Sequence, residues 1–161
     1  MRTPLALSRS LSRRDESVSP NVFRHSPGVT VTRVPPADWT DPRHRDGWHA
    51  EIAAGRWLVR QGWRIEAHRY RLGRHDLDLI ARRGDLVAFV EVKARRSDRY
   101  GAGEEAVGAK KRRVLERVAW SWILKSGTAG DQYRFDLVVQ SGQRGGETLR
   151  HIEDAWRPGW R

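Results

Sequence analysis

Apolar and polar positions change rhythm several times along this chain. From Asp46, "DGWHAEIAAGRWLVRQG" sets Trp48, Ile52, Gly55 and Val59 at spacings of four, three and four. That is the period of one helix face, and Gly62 suits its C-terminal stop. Glu51 stands beside that face. "WRIEAHRYR", "LDLIARR" and "LVAFVEVK" then read as strands, the last two separated by Gly84-Asp85. Helical period returns in "EEAVGAKKRRVLERVAWSWILKSG", with Val107, Val114, Val118 and Trp122 along one stripe and Leu115 and Ala119 beside it. Lys110, Arg113 and Arg117 lie opposite. Glu104 and Glu105 before the helix body and Lys125 at its end complement the helix dipole, and Gly127 follows. "QYRFDLVVQ" is a further strand and "ETLRHIEDAW" a candidate last one. This predicts an α/β fold in the order α-β-β-β-α-β, with a central sheet of about four to five strands flanked by helices. No internal repeat or heptad run interrupts it.

The strands carry charge where water should be excluded. A two-residue Gly84-Asp85 loop suits a type II′ turn. Arg83 then pairs with Leu86, Asp78 falls opposite Glu91, and Asp76 falls opposite Lys93. Alternation puts these four charged residues on one face with Ile80, Val87 and Phe89. The other face carries Leu77, Leu79, Val90 and Val92. Both faces are largely apolar, so the sheet is expected to be covered on both sides. A four-residue loop would instead pair Asp78 with Phe89 and Asp76 with Glu91. Facing carboxylates repel, and when buried they share a proton or need a cation. A divalent ion between Asp78 and Glu91 would resolve the conflict, and hard oxygen ligands without cysteine suit Mg²⁺ or Mn²⁺. The plainer alternative is an ion-pair cluster at the mouth of the sheet, Asp76 with Lys93 among its members.

Charge adds a partner. Of 161 residues, 31 are Lys or Arg and 20 are Asp or Glu, a formal net charge of +11. Only four of the basic residues are Lys, and the Arg guanidinium matches phosphate as a two-pronged donor. A polyanion is the expected partner, nucleic acid ahead of an anionic membrane. Arg95, Arg96 and Arg99, with Lys110, Lys111, Arg112 and Arg113, are placed to grip phosphate around the carboxylates. The chain has no cysteine, which rules out disulfides and thiolate metal sites and fits a cytoplasmic, even nucleoid-associated, protein. No run of 18 apolar residues predicts a membrane span. Residues 1–45, rich in Ser, Pro and Arg, are expected to be a disordered basic extension before a domain at 46–161. A targeting segment or a misassigned start are the other readings of that stretch. Of the eight Trp, Trp48, Trp57, Trp63 and Trp122 are expected in the core, and Trp156 and Trp160 are expected to pack against the domain rather than stack on unpaired bases. His44 and His49 are expected at the surface.

An acidic residue followed by Glu-x-Lys on the next strand resembles the signature of the PD-(D/E)XK nuclease superfamily. The chain resembles more closely the YraN-like family, small bacterial proteins similar to Holliday-junction resolvases. "AEIAAGRWLVRQGWRI", "DLDLIARRGDLVAFVEVKARRSDRYG", "EEAVGAKKRRVL" and "RFDLVV" carry the likeness in the same order. It implies a restriction-endonuclease-like core with a mixed sheet. It also implies a metal-dependent endonuclease acting on DNA rather than RNA, branched or damaged, in repair or recombination, with a homodimer in keeping with resolvases. A nucleic-acid-binding module that keeps the fold without turnover is the second reading. By the same resemblance, Asp78, Glu91 and the Val92 carbonyl would hold the metal. Glu51 would reach it directly or through water, and Lys93 would position the attacking water or stabilise charge on the phosphate. Asp136 would be structural. The family's Gly-Glu before the second strand is His75-Asp76 here, its helix Gly is Ala50, and one family Asn is Arg69.

Overall fold

A computed structural model describes residues 42–95, 107–142 and 146–159. Helix α1 (Pro42–Arg60) is followed by β1 (Arg64–Leu72), β2 (His75–Arg83), β3 (Leu86–Arg95), α2 (Ala109–Ser126), β4 (Gln132–Ser141) and β5 (Thr148–Trp156). The expected order holds, and "ETLRHIEDAW" is a strand. Helix α1 begins four residues before the expected boundary, and residues 1–41 lie outside the described residues. The sheet runs β1-β2-β3-β4-β5. Only β3 and β4 are parallel, joined by the crossover that contains α2, so the sheet is mixed.

Each helix covers one face. The α1 side holds Ala50, Ile52, Ala54 and Leu58 against Leu79, Ala81, Ala88, Val90 and Val138. The α2 side holds Leu115, Val118, Ala119 and Trp122 against Ile80, Val87, Phe89, Phe135 and Leu137. The face of α1 is turned from the expected one. Ile52 is buried, but Val59 is 41% exposed and Leu58 takes its place, with Ala50 and Ala54 giving the close approach. Glu51 therefore lies within the buried face rather than beside it. Trp63, Trp122 and Trp156 are buried, and Phe135 stacks on Trp156 at 4.9 Å. Trp48 and Trp57 pack at the margin of the α1 cluster. His44 and His49 are exposed.

Gly84 has φ 62, as the first central residue of a type II′ turn requires, and the loop has two residues. The register follows: Arg83↔Leu86, Arg82↔Val87, Ala81↔Ala88, Ile80↔Phe89 and Leu79↔Val90. One part of the face assignment fails. Leu77 packs on the α2 side with Ile80, three residues away, while Leu79 packs on the α1 side. The facing strand does the same, with Ala67 and Tyr70 both on the α2 side. Between them, Arg69 has φ 53. His68↔Leu79 and Tyr70↔Leu77 flank a junction where Arg69 meets Asp78. The register shift of this pair lies earlier, between Ile65 and Ala67; at Arg69 and Asp78 the pairing keeps its register while the alternation of side chains slips by one residue in both strands, which re-aims the side chains there. At the other end, Arg82 clamps Asp131 through two bonds, Nη1 to Oδ1 at 2.5 Å and Nη2 to Oδ2 at 3.0 Å.

Candidate functional site

The slip opens the sheet where the acids gather. The β2–β3 pairing ends at Leu79↔Val90, so Asp78 is not a backbone partner of Glu91. Instead its Oδ2 accepts the Val92 N–H at 2.7 Å, standing in for the missing strand carbonyl. Glu91 and Lys93, two apart on β3, share a side. Glu91 is 2% exposed; its Oε1 accepts Lys93 Nζ at 2.5 Å and Lys111 Nζ, from α2, at 3.2 Å. Its Oε2 is buried and has no hydrogen-bond partner among the described residues. Asp76 does not meet Lys93; it approaches Arg69 Nε at 3.8 Å. The expected four-charge face is thus a three-sided cluster of Asp78, Glu91 and two lysines, with Asp76 at its margin.

Glu51 comes from α1, on the opposite side of the sheet. Its Oε2 accepts a hydrogen bond from His68 Nε2 at 2.8 Å and stands in an ion pair with Arg69, 3.1 Å from its Nε. Both partners come from the β1 irregularity, so the backbone slip fixes where this third acid sits. The left-handed φ of Arg69 is one that Asn adopts more readily than Arg, which accounts for a family Asn at this place.

Electrostatics sharpen the picture. Burial pushes the Asp78 carboxyl well above the ordinary 3.8, and the charges of Glu91 and then Glu51 push it further. The Val92 N–H and Lys111 oppose them without cancelling them. For Lys111, burial pulls the ammonium pKa down, and Glu91, Asp78 and Asp76 more than offset it, so the net direction is up. Both lysines gather on one oxygen of Glu91, the charge of Asp78 stays disfavoured, and the buried Glu91 Oε2 has no donor among the described residues. That donor set suits a hard divalent cation bound through Asp78 and Glu91, with the Val92 carbonyl, water and substrate for the remaining ligands. No group of three or more His, Asp or Glu side chains converges on one metal position among the described residues. Glu51 is held by His68 and Arg69 on the α1 side.

The expected phosphate rim divides. Lys110 and Arg113 are exposed on α2 and Arg95 ends β3 half-buried. Lys111 belongs to the acid cluster, not the rim. The signal was in the period: Lys111, Leu115, Val118 and Trp122 share the inward stripe of α2. Arg112 is structural, its Nε donating to the Val107 carbonyl at 2.6 Å and its guanidinium 5.7 Å from the Trp156 ring centre. Arg96 and Arg99 lie outside the described residues. His68 carried no sequence signal beyond its place in a strand. Asp136, buried, accepts from His151 Nε2 at 2.8 Å, Arg134 Nε at 3.2 Å and the Asp154 N–H at 3.0 Å. Its partners all come from β4 and β5. No helix among the described residues is long and apolar enough to cross a membrane.

Comparison with known proteins gives a consistent set. Residues 50–139, which span α1 to β4, match the model of "Uncharacterised protein family UPF0102". A UPF0102 protein of Pelotomaculum thermopropionicum is 37% identical over 120 residues, covering 72% of this chain and 98% of that protein. One from Symbiobacterium thermophilum is 41% identical over 113 residues, 70% of this chain and 96% of the relative. One from Rhodococcus jostii is 37% identical over 111 residues, 68% and 94% respectively. With this coverage and the acids, lysines and strand register all inside the matched segment, the chain belongs to the UPF0102, or YraN-like, family.

Proposed function

We propose that this chain is a Mg²⁺- or Mn²⁺-dependent phosphodiesterase that cuts DNA, with branched or damaged DNA as its substrate class. One observation carries the reading: Glu91 Oε2 is a buried carboxylate oxygen without a donor, beside an Asp78 whose charge is disfavoured. Buried carboxylates left partly unsatisfied are costly, and they persist where a site uses them. Asp78 and Glu91, with the Val92 carbonyl, would hold the ion. When bound, it would lower the pKa of its water and neutralise phosphate charge.

The chain's own groups do the rest. Lys93 Nζ, one-third exposed, swings from Glu91 Oε1 to orient the attacking water or meet the phosphate. Lys111 Nζ brings a second ammonium to the same position from α2, on the solvent side of Glu91. Glu51, oriented by His68 and Arg69, accepts a hydrogen bond from a water on the α1 side. A binding module without turnover is the second reading. It is favoured by the engagement of Glu51 with His68 and Arg69 and, among the described residues, by the lack of a third side chain converging with Asp78 and Glu91 on one metal position.

The test is a cleavage panel of linear, nicked, flapped and four-way junction DNA with Mg²⁺ or Mn²⁺, comparing the wild type with Glu91→Ala. Metal-dependent cutting that the substitution abolishes supports the enzyme. Salt-sensitive binding without cutting under any condition supports the module.

A further inference from the structure

A groove of about 420 Å³ lies between the β1–β2 turn and α2. Leu72, Val114 and Val118 give it apolar lining, and Arg74, His75 and Arg117 give it polar edges. It continues the acid cluster. His75 directly precedes Asp76, whose carboxylate is close enough to help hold Lys111 charged. Val114 stands three residues beyond Lys111 on α2, a rise of about 4.5 Å along the helix. Arg74, Arg113 and Arg117 are exposed, and none has an ion pair to an acid among the described residues. Arg113 and Arg117, four apart, stand one above the other on the outer face of α2. Among the described residues no acidic side chain lines the groove.

We infer that this groove is the exit track for one strand of the nucleic acid, with Arg74 and Arg117 holding successive phosphates and the apolar lining receiving sugar or base. The inference rests on the nucleic-acid part of the proposed function, and it places a contact beyond the carboxylate and lysine cluster itself. Unpaired cations flanking an apolar floor, leading away from a carboxylate and lysine cluster, complement a polyanion with flat apolar groups. A small anionic metabolite would need donors converging at one point, and Arg74 and Arg117 stand instead on separate walls.

The experiment measures fluorescence anisotropy of labelled single-stranded and duplex DNA against salt, with the full chain. Arg74→Ala/Arg117→Ala is compared with the wild type and with Arg60→Ala/Arg150→Ala, which removes the same charge from exposed sites on α1 and the far edge strand. The groove variant should bind single strands roughly tenfold more weakly at moderate salt and lose about 1.4 from the salt slope, and the control variant should change neither. Equal behaviour of the two variants would overturn the track, as would a wild type that binds no DNA. A groove variant that binds normally but changes the mass of the protein in solution would mark the groove as a contact between copies, and that too would overturn it. Cleavage is read separately. Loss of the slope difference leaves metal-dependent cutting standing, and absence of cutting leaves the track standing.

Discussion

Replacing Asp78 with Asn should stabilise the protein at neutral pH while removing its activity. The carboxylate is desolvated and faces the charges of Glu91 and Glu51. Like charges about 5 Å apart, at an effective dielectric constant near 20, repel by about 3 kcal/mol. Against this gain, the Val92 N–H bond to Oδ2 loses its charge assistance, about 1 kcal/mol. Lys111, 45% exposed, loses an attraction of about 1 kcal/mol after solvent screening. The balance is a gain of about 1 kcal/mol, a rise in Tm of about 4 °C for a domain of this size. The sign with pH follows from a raised carboxyl pKa. The charged form is penalised in the folded state, so the advantage of Asn is full above the folded pKa and fades as pH falls from there towards 3.8. Thermal melts of both proteins without divalent metal, from neutral to acid pH, measure it. An Asn variant that melts lower than the wild type at neutral pH would refute the claim that Asp78 is held at a cost.

Lys111→Ala should lower the cleavage rate by about 10²-fold while leaving the salt slope of DNA binding within about one unit, measured by single-turnover cleavage and anisotropy. Arg69→Asn should keep stability within about 0.5 kcal/mol, because relief at φ 53 offsets the lost contact with Glu51. Arg69→Ala, which loses the contact and keeps the strain, should cost about 1 kcal/mol in a urea melt. Asp131→Ala should cost about 3 kcal/mol at pH 7, since it leaves Arg82, 15% exposed, without its two-pronged partner. The Arg82 hydrogen bond holds the Asp131 carboxyl well below its ordinary range, so that difference should be full above 3.8 and shrink as pH falls below it.

The order of elements was legible because each has a strong period and clear stops, and Gly84-Asp85 alone set the β2–β3 register. The site was legible in part. Spacing two apart on β3 placed Glu91 and Lys93 together, and the acid signature singled out Asp78 and Glu51. Strict alternation misplaced Leu77, because it does not foresee a slip that takes one residue in each of two strands, at Arg69 and Asp78. That slip lets Asp78 cap Val92 and brings His68 and Arg69 onto Glu51, contacts between elements that no single-strand pattern carries. Lys111 was hidden by its neighbours. A run of four basic residues reads as a surface, although the helical period places one of the four inward.

The central claim, that Asp78 and Glu91 hold a divalent cation, is tested most directly by titrating Mn²⁺ or Mg²⁺ into the purified protein and into Glu91→Gln, by calorimetry and by melting. At ten times Kd the ion should add about 1.4 kcal/mol of stability to the wild type. A saturable heat and an upward shift in Tm in the wild type, both absent from Glu91→Gln, are the predicted result. No heat and no shift in the wild type, or the same response in both proteins, would contradict it.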